Sequence, residues 1–79
     1  MILQIRAFDP VATGRKIKEV RKEKNVTVEK IGEYLNCSCQ AVYKWQRGDC
    51  TPTIDNLLML SDLLDVSLDE LVKVKFLNF

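Results

Sequence analysis

The chain has no histidine, only three cysteines and three glycines, and a formal net charge of +1. Each shortage removes a class of function. Cys37-x-Cys39 and the distant Cys50 supply three thiolates at most, one short of a structural zinc site, so no metal is expected. An odd cysteine count without framework spacing excludes a disulfide-stapled fold, and reduced thiols in a cytoplasmic protein are the expectation. The glycines stand apart at Gly14, Gly32 and Gly48, so no glycine-rich phosphate loop is present. With no imidazole and no such loop there is no credible catalytic set, and neither an enzyme nor a cofactor is expected. No apolar stretch is long enough to span a bilayer, so no membrane role is expected. The opening MILQIRAFDP lacks a basic start followed by a long apolar run, so no export signal is visible.

What is present suits one folded unit. Seventy-nine residues can build a single modest core and not two, so residues 1–79 are expected to form one domain. A hydrophobic share of 47% places the chain among globular rather than disordered sequences. There is no internal repeat, low-complexity segment or linker. Net charge is weak for a nucleic-acid binder, but its distribution is uneven. Residues 15–24 (RKIKEVRKEK) hold six of the twelve basic side chains, whereas residues 49–70 hold six acids and no Lys or Arg. Such asymmetry creates a positive face that can steer a polyanion. The plainer alternative is a solvated helix surface.

Local patterns divide the chain into short elements. Leu3, Ile5 and Ala7 alternate with Gln4 and Arg6, which is strand periodicity. Asp9-Pro10 forms a cap with proline at the first helical position, and Ile17, Val20 and Arg21 define the inner face of a helix reaching about Lys24. Thr53 caps a later helix whose stripe is Ile54, Leu57, Leu60, Ser61 and Leu64. Asp65-Val66 is a turn. Ser67-Leu68-Asp69-Glu70 has the form of a capping box opening a short last helix. In the tail, Val72, Val74 and Phe76 alternate, which fits either a strand or a frayed extension of that helix. A strand at each end invites pairing, within one chain or across two.

The stretch from Thr27 to Pro52, TVEKIGEYLNCSCQAVYKWQRGDCTP, carries the functional expectation. Thr27 caps a helix with Ile31 and Leu35 on one face. Asn36-Cys37 is a tight break, and Ser38 caps a second helix that Gly48 ends. Val42 and Trp45 face the core, leaving Cys39, Gln40, Tyr43, Lys44 and Arg47 outward. A short polar helix held across another by a tight turn is the geometry that enters a DNA major groove.

With these residues in place the chain resembles the Cro/repressor-type (XRE-like) helix-turn-helix family over residues 12–71. The anchors are Gly14-Arg15-Lys16-Ile17, Val20-Arg21, Ile31, Leu35, Val42, Trp45-Gln46-Arg47-Gly48, Pro52 and Leu64 to Leu71. The resemblance implies an all-α fold of five short helices, with terminal β-strands as an addition. It also implies sequence-specific binding of double-stranded DNA by a transcriptional regulator, expected to be a repressor. Base-reading positions map to Cys39, Gln40 and Lys44, with Tyr43 beside them. Gln40 can donate and accept against adenine N6 and N7, and Lys44 can reach guanine or a phosphate. Cys39 is short and permits close approach. Phosphate contacts map to Arg15, Lys16, Thr27, Ser38, Arg47 and Thr51.

Three positions depart from the family pattern. Val28 stands where a glutamine often opens the second helix. Gln46 stands where a glutamate pairs with an arginine matching Arg21, and a Gln46–Arg21 hydrogen bond is the expected replacement. Asp49 lies in a loop that approaches phosphate, where a carboxylate repels.

Other side chains have two readings each. Trp45 can stack on a ligand, but its spacing from Val42 favours the core. Cys39 can be a redox gate, yet it lacks a resolving partner, which favours a structural thiol. Leu58, Met59 and Leu63 leave the fourth helix apolar nearly all round, to pack on the tail or on a second copy. A homodimer is expected, through Leu58, Met59, Val74, Phe76 and Phe79. No small-molecule ligand is expected. A protein-interaction or antitoxin-like module with the same fold is the competing function.

Overall fold

The computed structural model describes residues 3–78. Its elements run β1 (Gln4–Phe8), α1 (Pro10–Glu23), α2 (Val28–Leu35), α3 (Cys39–Arg47), α4 (Ile54–Leu64), α5 (Leu68–Leu71) and β2 (Val74–Asn78). The helix starts follow capping chemistry. Asp9 Oδ1 accepts from the Ala12 amide at 3.0 Å, and Thr27, Ser38 and Thr53 accept from the amides of Lys30, Ala41 and Asn56. Each bond satisfies an amide that has no partner within its helix. The ends are equally local: Asn36, Gly48 and Asp65 all take the left-handed conformation just past α2, α3 and α4.

The core is one cluster. Ile17 and Val20 of α1 meet Val28, Ile31 and Leu35 of α2, Val42 and Trp45 of α3, Leu57, Leu60 and Leu64 of α4, and Leu71 of α5. Helix α1 lies on α3 and α5, while α2 bridges α3 and α4. Gly14 makes the first of these crossings close. A Cβ there would run into the Trp45 carbonyl oxygen and come within 2.9 Å of the Gln46 carbonyl oxygen. Backbone therefore rests on backbone where α1 crosses α3.

Four expectations change. Ile54 is 63% exposed rather than buried; as the first residue of α4, its side chain tilts toward the helix N-terminus and past the core. Ser61 is half-buried and donates to the Leu58 carbonyl at 2.7 Å instead of packing. Ser67 has cap backbone geometry but makes no side-chain cap bond, so no capping box forms. Cys39 is half-buried against the core rather than outward, because the missing side chain of Gly32 lets the turn settle close to α2.

The termini form an antiparallel two-stranded sheet within the chain, with Ile5 opposite Leu77, Arg6 opposite Phe76 and Phe8 opposite Val74. This decides the tail in favour of a strand. The ribbon is tied to the helices at its base, where the Asp9 amide donates to the Lys73 carbonyl and the Lys73 amide donates to Thr13 Oγ1, both at 2.9 Å. Thr13 is 1% exposed, and periodicity alone does not single it out. Beyond that tie the strands are mostly exposed, and the described chain measures 48 × 22 × 20 Å. Phe79, an expected dimer contact, lies outside the described residues.

Candidate nucleic-acid interface

Helix α3 is short, capped at both ends and fixed from below. Val42 and Trp45, 0% and 6% exposed, press its inner side against α1 and α2. With that side anchored, positions 40, 43, 44 and 47 must share the opposite side, since residues three and four apart are neighbours on a helix. Gln40, Tyr43, Lys44 and Arg47 together line an open depression of about 480 Å³. It contains an amide, a phenol and two cations, and no carboxylate lines it. Such a surface can donate to acceptors on a base edge and attract a polyanion.

Cys39 does not share this depression. Neighbouring Cys37 is partly buried, and burial first, then the nearby Cys39, holds its thiol above the ordinary range. Both side chains pack against the core as small apolar groups. Among the described residues no group of His, Cys, Asp and Glu is arranged to hold a metal ion. No described helix is long and apolar enough to cross a membrane.

The residues matched to phosphate contacts lie on α1, at the starts of α2 and α3, at the end of α3 and just beyond it. Arg15 is exposed on α1, and Lys16 is engaged with Glu19 at 3.4 Å. Thr27 and Ser38 are exposed, with their hydroxyl oxygens occupied as caps. Thr51 is exposed just beyond α3. Arg47 differs from these. It lines the depression with Gln40, and its Nε donates to Asp49 Oδ2 at 2.9 Å. The sequence identified Asp49 as a source of repulsion; it does not reveal this pair. The contact follows from left-handed Gly48, φ 79°, which turns the chain back toward the end of the helix.

The other two departures are also resolved. Arg21 Nε donates to Gln46 Oε1 at 2.6 Å, and its Nη1 reaches the Val26 carbonyl at 3.5 Å. The expected Gln46–Arg21 bond therefore forms and links α1 to α3. Val28 is 3% exposed, so the first residue of α2 belongs to the core.

The helix-turn-helix family model matches residues 17–71. Among curated relatives, the transcriptional activator BcrR of Enterococcus faecalis is 35% identical over 59 residues, covering 75% of this chain and 29% of BcrR. The cryptic phage CTXphi repressor RstR of Vibrio cholerae is 35% identical over 60 residues, covering 71% of this chain and 54% of RstR. The match thus spans less than two thirds of either relative. Among solved structures, the P22 c2 repressor in complex with a synthetic operator superposes with a TM-score of 0.71 at 33% identity, covering 77% of this chain and 92% of that one. Five helices in this order, the turn at Asn36 and the matched residues lead to one assignment: the chain belongs to the helix-turn-helix family.

Proposed function

We propose that the protein is a sequence-specific double-stranded DNA-binding regulator of transcription, acting as a repressor, with α3 inserted in the major groove. The observation that carries this is the single outward stripe of Gln40, Tyr43, Lys44 and Arg47 on a helix whose other side is locked in the core. Gln40 and Lys44 read base edges, Tyr43 meets a thymine methyl or a phosphate, and half-buried Cys39 permits close approach. Arg15, Lys16, Thr27, Ser38 and Thr51 flank this stripe and face phosphates. Arg47 stands in both sets, on the stripe and beside the exit loop. A protein-binding module would favour an acidic rim, and cations rather than carboxylates line the depression.

The working form is a homodimer, because one α3 covers too few base pairs for useful specificity, and a two-fold places two of them one turn of DNA apart. Its contacts come from Leu58 and Met59 of α4 or from the exposed Val74, Phe76 and Leu77 of the ribbon. Such a regulator acts in the cytoplasm, where its DNA lies.

Fluorescence titration of a duplex library at stepped salt concentrations tests the reading. Counterion release makes affinity fall steeply as salt rises. Affinity that stays flat from low to moderate salt would overturn it.

A further inference from the structure

The Arg47–Asp49 pair is arranged for an uncharged base edge rather than for a phosphate. We propose that Arg47 reads a guanine, held in its reading pose by Asp49; this rests on α3 entering the major groove. Position comes first. Arg47 lies seven residues beyond Gln40, at i, i+4, i+7 with Lys44, so all three share one side of α3. At 1.5 Å per residue the stripe spans about 10 Å, the rise of about three base pairs. All three side chains line the same depression.

Orientation comes second. Asp49 engages the guanidinium only through Nε, at 2.9 Å, and among the described residues Nη1 and Nη2 have no hydrogen-bond partner. The free side of the fork is the one whose parallel N–H groups match guanine O6 and N7. The backbone that carries the carboxylate is not loosely placed. The Asp49 amide donates to the Lys44 carbonyl at 2.9 Å, and the Gly48 amide to the Trp45 carbonyl at 3.1 Å. Gly48 is further pressed against Val11, leaving no room for a Cβ. The backbone carrying Asp49 is therefore fixed to the helix that carries Arg47.

Charge decides between the two ligands. A guanidinium already paired with a carboxylate is a poor counterion for phosphate, and Asp49 repels any phosphate brought close. A guanine edge carries two acceptors and no formal charge, so the same carboxylate does not repel it in that way. Both side chains are more than half exposed, 61% and 57%, so the pair is weak in the free protein. It strengthens when DNA excludes water around it.

The test uses the full chain and selection from random duplexes, followed by titration of the selected site and its single-base variants at several salt concentrations. Wild type is expected to select a guanine that Arg47→Ala no longer prefers, a loss on the order of 5- to 150-fold at that one base pair. Asp49→Asn, which keeps the shape and removes the charge, is expected to weaken the same preference. The salt slope of Arg47→Ala is expected to stay near wild type. Unchanged preference in Arg47→Ala, or a salt slope lower by about one in that variant, would assign Arg47 to phosphate and overturn the proposal. Asp49→Asn binding every duplex more tightly, with the guanine preference intact, would make Asp49 a simple repeller and also overturn it. If Gln40→Ala relaxes a position while the Arg47 variants relax none, only this inference falls. If wild type selects no sequence, the DNA-reading role falls with it.

Discussion

Replacing Gly14 with alanine probes the crossing that positions helix α3. A Cβ at residue 14 would strike the Trp45 carbonyl oxygen and stand 2.9 Å from the Gln46 carbonyl oxygen and 3.0 Å from its carbon. These obstacles are backbone atoms of a helix capped at both ends, so they cannot rotate away as a flexible side chain would. Relief requires α1 to move off α3, loosening Ile17 and Val20 against Val42 and Trp45. Forced packing of this kind costs about 3 kcal/mol at the upper end of its usual range. Alanine recovers about 1 kcal/mol through its better helix propensity, leaving a net loss of about 2 kcal/mol. For a chain of this size that is a fall in Tm of about 8–16 °C. Thermal unfolding followed by circular dichroism, with urea titration as a check, measures it. A Tm equal to or above wild type would show that α1 and α3 are not held backbone to backbone, and the placement of Arg15 and Arg21 relative to α3 would fall with it.

Two further outcomes follow from named contacts. Gln46→Glu is expected to raise stability by about 1 kcal/mol, because the 2.6 Å bond from Arg21 gains charge assistance in a half-buried setting; a lower urea midpoint would contradict this. Sedimentation at micromolar concentration is expected to give a dimer that Phe76→Asp weakens, since Phe76 is 59% exposed on the ribbon and a charge there opposes burial. A monomer under those conditions would remove self-association through the ribbon.

The helices were legible in the sequence because their boundaries are set locally. Asp9, Thr27, Ser38 and Thr53 cap neighbouring amides, and Gly48 supplies a left-handed end; these need only nearby residues. The outward stripe of α3 was legible for the same reason, since burying Val42 and Trp45 leaves Gln40, Tyr43 and Lys44 no other side. The rest depended on distant parts of the chain. Thr13 is buried because its hydroxyl accepts from Lys73, sixty residues away, and no periodicity of α1 encodes that. Ile54 fits the stripe of α4 but sits at an end that no partner covers. Ser67 and Glu70 have capping-box spacing, yet no side-chain cap bond forms at Ser67. The Arg47–Asp49 contact needed the path of the chain after Gly48, which composition alone records only as a basic residue near an acidic one.

A double-mutant cycle between protein and DNA probes the proposed reading of a base by Gln40 from α3. Affinities of wild type and Gln40→Ala are measured on the selected site and on a duplex changed at the base pair whose preference Gln40→Ala relaxes. Gln40→Ala is expected to cost on the order of 1–3 kcal/mol on the selected site and close to nothing on the altered one. An equal cost on both duplexes, or none on either, would contradict it.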